Sequence, residues 1–172
     1  PLLILGDDLL WSDSLDGCTS WIAGQGIPFI TTSLARGILP DDHPLCANAA
    51  RHEVQAAADT VLALGAPLDW RLRFGGGLDP AARVVVAGPS GPRGERHPAH
   101  AIRDEGDPAA FCAALAHELA ANPPPASAHA GWRQFVQSAT AARRNLRREW
   151  LNSGTQPIPP AHLFATIARF LA

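Results

Sequence analysis

Apolar residues follow two rhythms along this chain. The first is a set of short unbroken runs: Leu2 to Leu5, Ile27 to Thr32, Thr60 to Leu64 and Arg83 to Ala87. A strand without polar alternation presents apolar side chains on both faces, which suits a sheet covered on both sides. Three of these runs stop at a glycine, namely Gly6, Gly65 and Gly88. A weaker run, Ala99 to Arg103, predicts a fifth strand. The second rhythm is helical. Leu15, Cys18, Trp21 and Ile22 predict a helix over 12–23, ended by Gly24 and Gly26. Residues 49–58 predict another. Asp107-Pro108 has the chemistry of a helix start, because aspartate caps free amides and proline is tolerated at the first helical position. Phe111, Leu115 and Leu119 continue that helix. Strands alternating with helices predict an α/β fold, Rossmann-like and doubly wound, with a mostly parallel sheet and a C-terminal helical linker. Such sheets take ligands at the carboxyl ends of their strands, here Gly6, Gly65 and Gly88.

The pattern changes after residue 121. Asn122 to Ala130 contains three consecutive prolines and reads as a linker. Trp132, Phe135, Val136, Ala139, Leu146 and Trp150 then mark one face of a long helix, with Arg143, Arg144, Arg147 and Arg148 around it. Pro157-Ile158-Pro159-Pro160 interrupts the chain, and Leu163, Ile167, Phe170 and Leu171 predict a last helix. The expected units are 1–122, 123–156 and 157–172. Residues 131–172 hold six arginines against one acid, whereas the first 130 residues hold eight against fifteen. A solvated helix face explains such arginines in the ordinary case; a phosphate- or partner-binding patch is the sharper alternative.

Composition narrows the chemistry. The 172 residues carry a formal charge of -2, which argues against a general nucleic-acid binder, and no apolar run is long enough to span a membrane. All 14 basic residues are arginine, so a P-loop lysine, a lysine Schiff base and a lysine general base are excluded. There is no methionine, and the chain opens inside a strand-like run, so we read it as a piece of a longer protein. Cys18, Cys46 and Cys112 form no CxxC pair. They fit reduced structural thiols in a cytoplasmic protein.

Single motifs fail on their own terms. Gly6-Asp7-Asp8 lacks the rest of a dinucleotide fingerprint, and two acids repel a phosphate. Gly88-Pro89-Ser90-Gly91-Pro92 ends in proline where a nucleophile elbow needs glycine. His97-Pro98-Ala99-His100 is too short for a metal site. Asp41, Asp42 and His43 sit between Pro40 and Pro44 and read as turn chemistry. The magnesium-diphosphate pattern of thiamine enzymes, Gly-Asp-Gly with asparagine about thirty residues on, also fails. The first asparagine after Asp7 is Asn48.

Three longer stretches are more specific. Leu34 to Leu45 (LARGILPDDHPL) resembles a loop in the central domain of thiamine diphosphate enzymes, within the oxalyl-CoA decarboxylase, 2-hydroxyacyl-CoA lyase and acetolactate synthase group. Ala58 to Trp70 (ADTVLALGAPLDW) resembles the strand and turn that follow, and Thr155 to Leu171 resembles the entry into that family's C-terminal domain. The resemblance implies a division of labour. Neighbouring catalytic domains would supply thiamine diphosphate and magnesium chemistry in the parent, leaving this segment with no catalytic residue and no cofactor of its own. It implies that 157–172 begins the truncated third domain, and that partners are the absent N- and C-terminal domains and a second copy of the chain.

The resemblance also implies a vestigial nucleotide site at Gly6, Gly65 and Leu68. FAD and ADP, which some members bind in this domain, are disfavoured here. Asp7 stands where those members carry a small or basic residue, Pro67 where they carry arginine, and Ala87-Gly88-Pro89 where they carry a ribose-binding acid. A charge-assisted contact is worth about 1.5–3 kcal/mol, so each loss matters. Two rival readings remain: a free-standing nucleotide- or CoA-binding module gripping phosphates with Arg71, Arg73 and the 143–148 arginines, and an unrelated small α/β hydrolase. The tail helices are expected to self-associate through Trp132, Trp150, Phe164 and Phe170, or to leave 151–172 disordered.

Overall fold

The computed structural model describes residues 1–89, 101–125, 127–151 and 157–171. Strands β1 (Leu2–Leu5), β2 (Phe29–Thr31), β3 (Thr60–Leu64), β4 (Arg83–Ala87) and β5 (Ile102–Asp104) form one sheet in the order β2-β1-β3-β4-β5, with every neighbouring pair parallel. The register sets Ile4 between Ile30 and Ala63, and Leu62 opposite Val85. Helices α1 (Leu15–Gly24), α2 (Arg51–Ala57), α3 (Pro108–Ala121), α4 (Ala130–Leu151) and α5 (Pro160–Leu171) complete the chain.

The unbroken apolar strands divide by pleat. Leu2, Ile4, Val61, Ala63, Val84 and Val86 point to the side covered by α2 and α4, where Val54 and Val136 meet them. Leu3, Leu5, Leu64 and Ala87 point to the other side, with Cys18 and Ile22 of α1 and Cys112 of α3. Both faces are therefore closed, which is why these strands show no polar alternation. Phe29 and Ile30 of β2 likewise go to opposite layers.

Element boundaries moved where turn chemistry intervened. The helix expected from Ser12 starts at Leu15, because Asp7–Trp11 first forms a 3-10 turn that buries Leu9. The helix expected over 49–58 opens with a 3-10 turn at Asn48–Ala50, and α2 proper is Arg51–Ala57. Asn48 ties that turn to β2 and to the preceding loop: its Oδ1 accepts from the Thr31 amide at 2.9 Å, and its Nδ2 donates to Thr31 Oγ1 and Asp41 Oδ1, both at 3.0 Å. The second strand is shorter than its apolar run, as fits an edge strand entered through Pro28. Of the fifth expected strand, Ile102 and Arg103 are extended, while Ala99 and His100 lie outside the described residues. Asp107 caps α3 as expected, accepting from the amides of Ala109 and Ala110 at 3.4 and 3.2 Å.

Helix α4 is attached to the sheet domain by a few contacts. Val136 is fully buried, Trp132 and Ala139 pack against the same layer, and Arg143 pairs with Glu53 of α2. Trp132 is accordingly withdrawn from any open face. Its indole N–H donates to the Pro1 carbonyl, and its ring stacks on Phe135 with centroids 5.5 Å apart. Trp150, Phe164 and Phe170 stay exposed, and α5 buries none of its residues. Among the described residues no helix is long and apolar enough to cross a membrane.

Candidate functional site

With β2 on one side of β1 and β3 on the other, the strand order reverses between β1 and β3, and ligands of such sheets collect in that crevice. The structure brings the expected strand-end glycines together there in close backbone contact. Gly6 follows β1 with an extended backbone; a Cβ on it would lie 2.0 Å from the Gly65 carbonyl oxygen. Gly65 has φ +60, and a Cβ there would meet the Leu9 amide at 2.6 Å. Only residues without side chains permit this approach. Hydrogen bonds lace the three loops together: Asp8 N to Gly65 O at 3.1 Å, Gly65 N to Ala87 O at 2.7 Å, and Gly88 N to Asp104 O at 2.9 Å. The remaining space, lined by Asp8, Pro67, Gly88 and Arg103 among others, is about 10 Å³. That is room for about one water. Leu68 is fully buried in the core layer beneath α2 and α4, not in this cavity.

Beside the crevice runs a wider groove of about 420 Å³, lined by Trp11, Ser12 and Pro108 and by three acids, Asp8, Glu105 and Asp107. Asp107 is engaged as the α3 cap and also accepts from the Ser12 hydroxyl.

On the β2 side lies a buried ionic network that the sequence reading missed. Asp7 accepts from the Thr32 hydroxyl through Oδ1 and from Arg71 Nη1 through Oδ2. Arg71 also donates from Nε to both oxygens of Asp69, at 3.2 and 3.0 Å, and its Nη2 lies 2.8 Å from Asp69 Oδ2. Asp69 in turn caps the 3-10 segment Trp70–Gly75 by accepting from the Arg71 amide at 2.9 Å. Burial pushes Asp7 up, but the Thr32 hydroxyl and the Arg71 guanidinium outweigh it and hold the carboxyl below its ordinary value. The Asp69 hydrogen bond, opposed by burial and helped by Asp7, raises Arg71 above the ordinary arginine value. Arg71 is thus enclosed by two carboxylates of its own chain. The rival reading gives Arg71 to a phosphate; in the fold it pairs with Asp7 and Asp69. Asp7 and Arg71 stand 64 positions apart, and only the fold reveals the pair.

The other singled-out residues have local roles. Asp41, Asp42 and His43 lie in the expected turn; His43 Nδ1 accepts from the Leu45 amide at 3.2 Å, and its ring rests on Phe29. Among the described residues no three His, Cys, Asp or Glu side chains form a metal-binding group. All three thiols are free and buried. Burial pushes the Cys46 thiol up, and Cys18 and Cys112 contact each other between α1 and α3. The segments Ser90 to Pro92 and His97 to His100 lie outside the described residues.

Comparison with known proteins agrees with this architecture. The family model described as thiamine pyrophosphate enzyme, central domain, matches residues 1–115. A probable acetolactate synthase of Mycobacterium bovis is 28% identical over 171 residues, covering 99% of this chain and 30% of the relative. An oxalyl-CoA decarboxylase of Escherichia coli is 44% identical over 75 residues, and the mouse 2-hydroxyacyl-CoA lyase 1 is 37% identical over 75; each match covers 44% of this chain and 13% of the relative. The chain spans less than a third of the length of these relatives.

Proposed function

The chain belongs to the central-domain family of thiamine pyrophosphate enzymes, and from that premise we propose that it is a non-catalytic structural domain of a larger thiamine diphosphate-dependent enzyme. The parent would act as a 2-keto acid decarboxylase, a 2-hydroxyacyl-CoA lyase or an acetolactate synthase-like enzyme, in keeping with the names its relatives carry. Its N- and C-terminal domains would hold thiamine diphosphate and magnesium, and residues 157–172 would lead into the latter.

The observation that carries this reading is the tight packing of the strand-end loops. Where a parallel sheet of this order takes its ligand, Gly6, Gly65 and Gly88 bring the loops together through backbone hydrogen bonds. Asp8, Glu105 and Asp107 line the groove beside these loops, which favours a sheet without a nucleotide of its own. Arg71, the cation nearest Asp7, is neutralised internally. With its strand ends bound to one another by backbone, the sheet serves as a rigid spacer that orients what is attached to it. No reaction step is assigned to its residues.

The test is turnover. Purified chain, supplied with thiamine diphosphate, magnesium and either a 2-keto acid or a 2-hydroxyacyl-CoA, is expected to release no aldehyde or carbon dioxide above the protein-free control. Catalytic turnover that survives further purification would overturn the proposal.

A further inference from the structure

We propose that Cys18 and Cys112 are a redox-active pair, joined reversibly as a disulfide when hydrogen peroxide enters the cavity between α1 and α3. That cavity encloses about 280 Å³ and has both cysteines in its wall. Apart from Trp21 the rest of the lining is small: Ser14, Gly17, Ala109, Ala113 and Ala116. Small residues let the two helices pack closely and leave sulfur as the reactive element where they meet.

The cavity opens to solvent on the Cys18 side. Ser14, Gly17 and Ala113 are exposed, and a Cβ on Gly17 would meet nothing within 4 Å. Cys18 keeps 3% of its surface exposed and Cys112 1%. An oxidant that reaches Cys18 must therefore be small, and hydrogen peroxide is little larger than water. Cys112 needs no access of its own, because it acts on its neighbour.

The two thiols share a hydrogen bond. The bond from Cys112 holds the Cys18 thiol below its ordinary value, against burial and the Asp107 carboxylate. The same bond, burial and Asp107 push Cys112 up. Cys18 is thus the nucleophile and Cys112 the resolving thiol. Cys46 differs: its hydrogen-bond partner is Asp41 Oδ1 at 3.9 Å, a group that cannot resolve an oxidised sulfur.

The step balances. The Cys18 thiolate attacks one peroxide oxygen and the O–O bond breaks. The leaving hydroxide takes up the proton Cys18 gave up and departs as water, while Cys18 becomes a sulfenic acid. Cys112 then attacks that sulfur. The S–S bond forms, the S–O bond breaks, and the second hydroxide leaves as water with the Cys112 proton. The pair loses two electrons and the peroxide gains them. The sulfurs close from contact to about 2.05 Å, and a dithiol reverses the bond by exchange. The site is separate from the strand ends and stands whether or not the parent is a thiamine enzyme.

The experiment treats the folded full chain with hydrogen peroxide, alkylates the remaining thiols in denaturant and maps the tryptic peptides. The chain has no methionine to compete for oxidant, and cleavage at arginine puts Cys18, Cys46 and Cys112 on separate peptides, 1–36, 37–51 and 104–133. Peptides 1–36 and 104–133 are expected joined, and released by dithiothreitol, with Cys46 alkylated. Cys112→Ala should leave a Cys18 sulfenic acid that a cyclic 1,3-diketone captures, and Cys18→Ala should slow oxidation of Cys112 about tenfold or more. The map of the unsubstituted chain decides the matter if either variant misfolds. No joined peptide, a link to Cys46 instead, or a link that forms only in urea would overturn the proposal.

Discussion

Asp7 has two effects at once. In the primary structure it is an acid placed where a phosphate-binding turn would avoid one. In the fold it is the counter-charge of Arg71, so the carboxylate is held in an ion pair of the domain itself. Removing Arg71 would strand Asp7 and Asp69, both buried, without their cation. Arg71→Gln should therefore lower stability by about 2–4 kcal/mol, the lower end reflecting a guanidinium that keeps some solvent contact, as read from urea denaturation. The pH dependence has a definite sign. Because Asp7 titrates below its unfolded value, its contribution is fully present above about pH 4 and is lost as pH falls through the depressed folded value. Asp7→Asn should flatten the acid limb of the stability profile and leave stability between pH 5 and 8 independent of pH to the same degree as in the parent chain. An unchanged acid limb would show that Asp7 is not the titrating group.

At the scale of elements, α3 and α4 are held by different means. Asp107 caps α3, so Asp107→Ala should cost about 1 kcal/mol. Helix α4 depends on Val136, and Val136→Ala should cost about 2 kcal/mol and raise hydrogen exchange along Ala130–Leu151 more than in β1 or β3. How much was legible in the chain follows from the kind of signal each element carries. Strands β1, β3 and β4 were readable to the residue because both their faces are buried and their apolar runs end abruptly. The start of α1 was not, because the 3-10 turn at Asp7–Trp11 arises from contact with Gly65, far along the chain. The strand-end glycines could be placed at the carboxyl edge from their positions alone. Their close packing against one another could not be read, since it depends on distances between loops.

For the whole molecule the decisive feature is that the carboxyl edge of the sheet is locked by backbone. Gly65→Ala should be strongly destabilising, by about 2 kcal/mol or more, because φ +60 and the Leu9 amide both oppose a side chain. The apolar residues left outside, with Trp150, Phe164 and Phe170 on the last two helices, suit contact with other domains or with a second copy. The proposed scaffold role calls for rigidity at this edge and for no nucleotide there. Calorimetric titration of the purified chain with ADP and with FAD tests that claim most directly. The account predicts no saturable heat for either nucleotide up to millimolar concentration; micromolar binding of either one would contradict it.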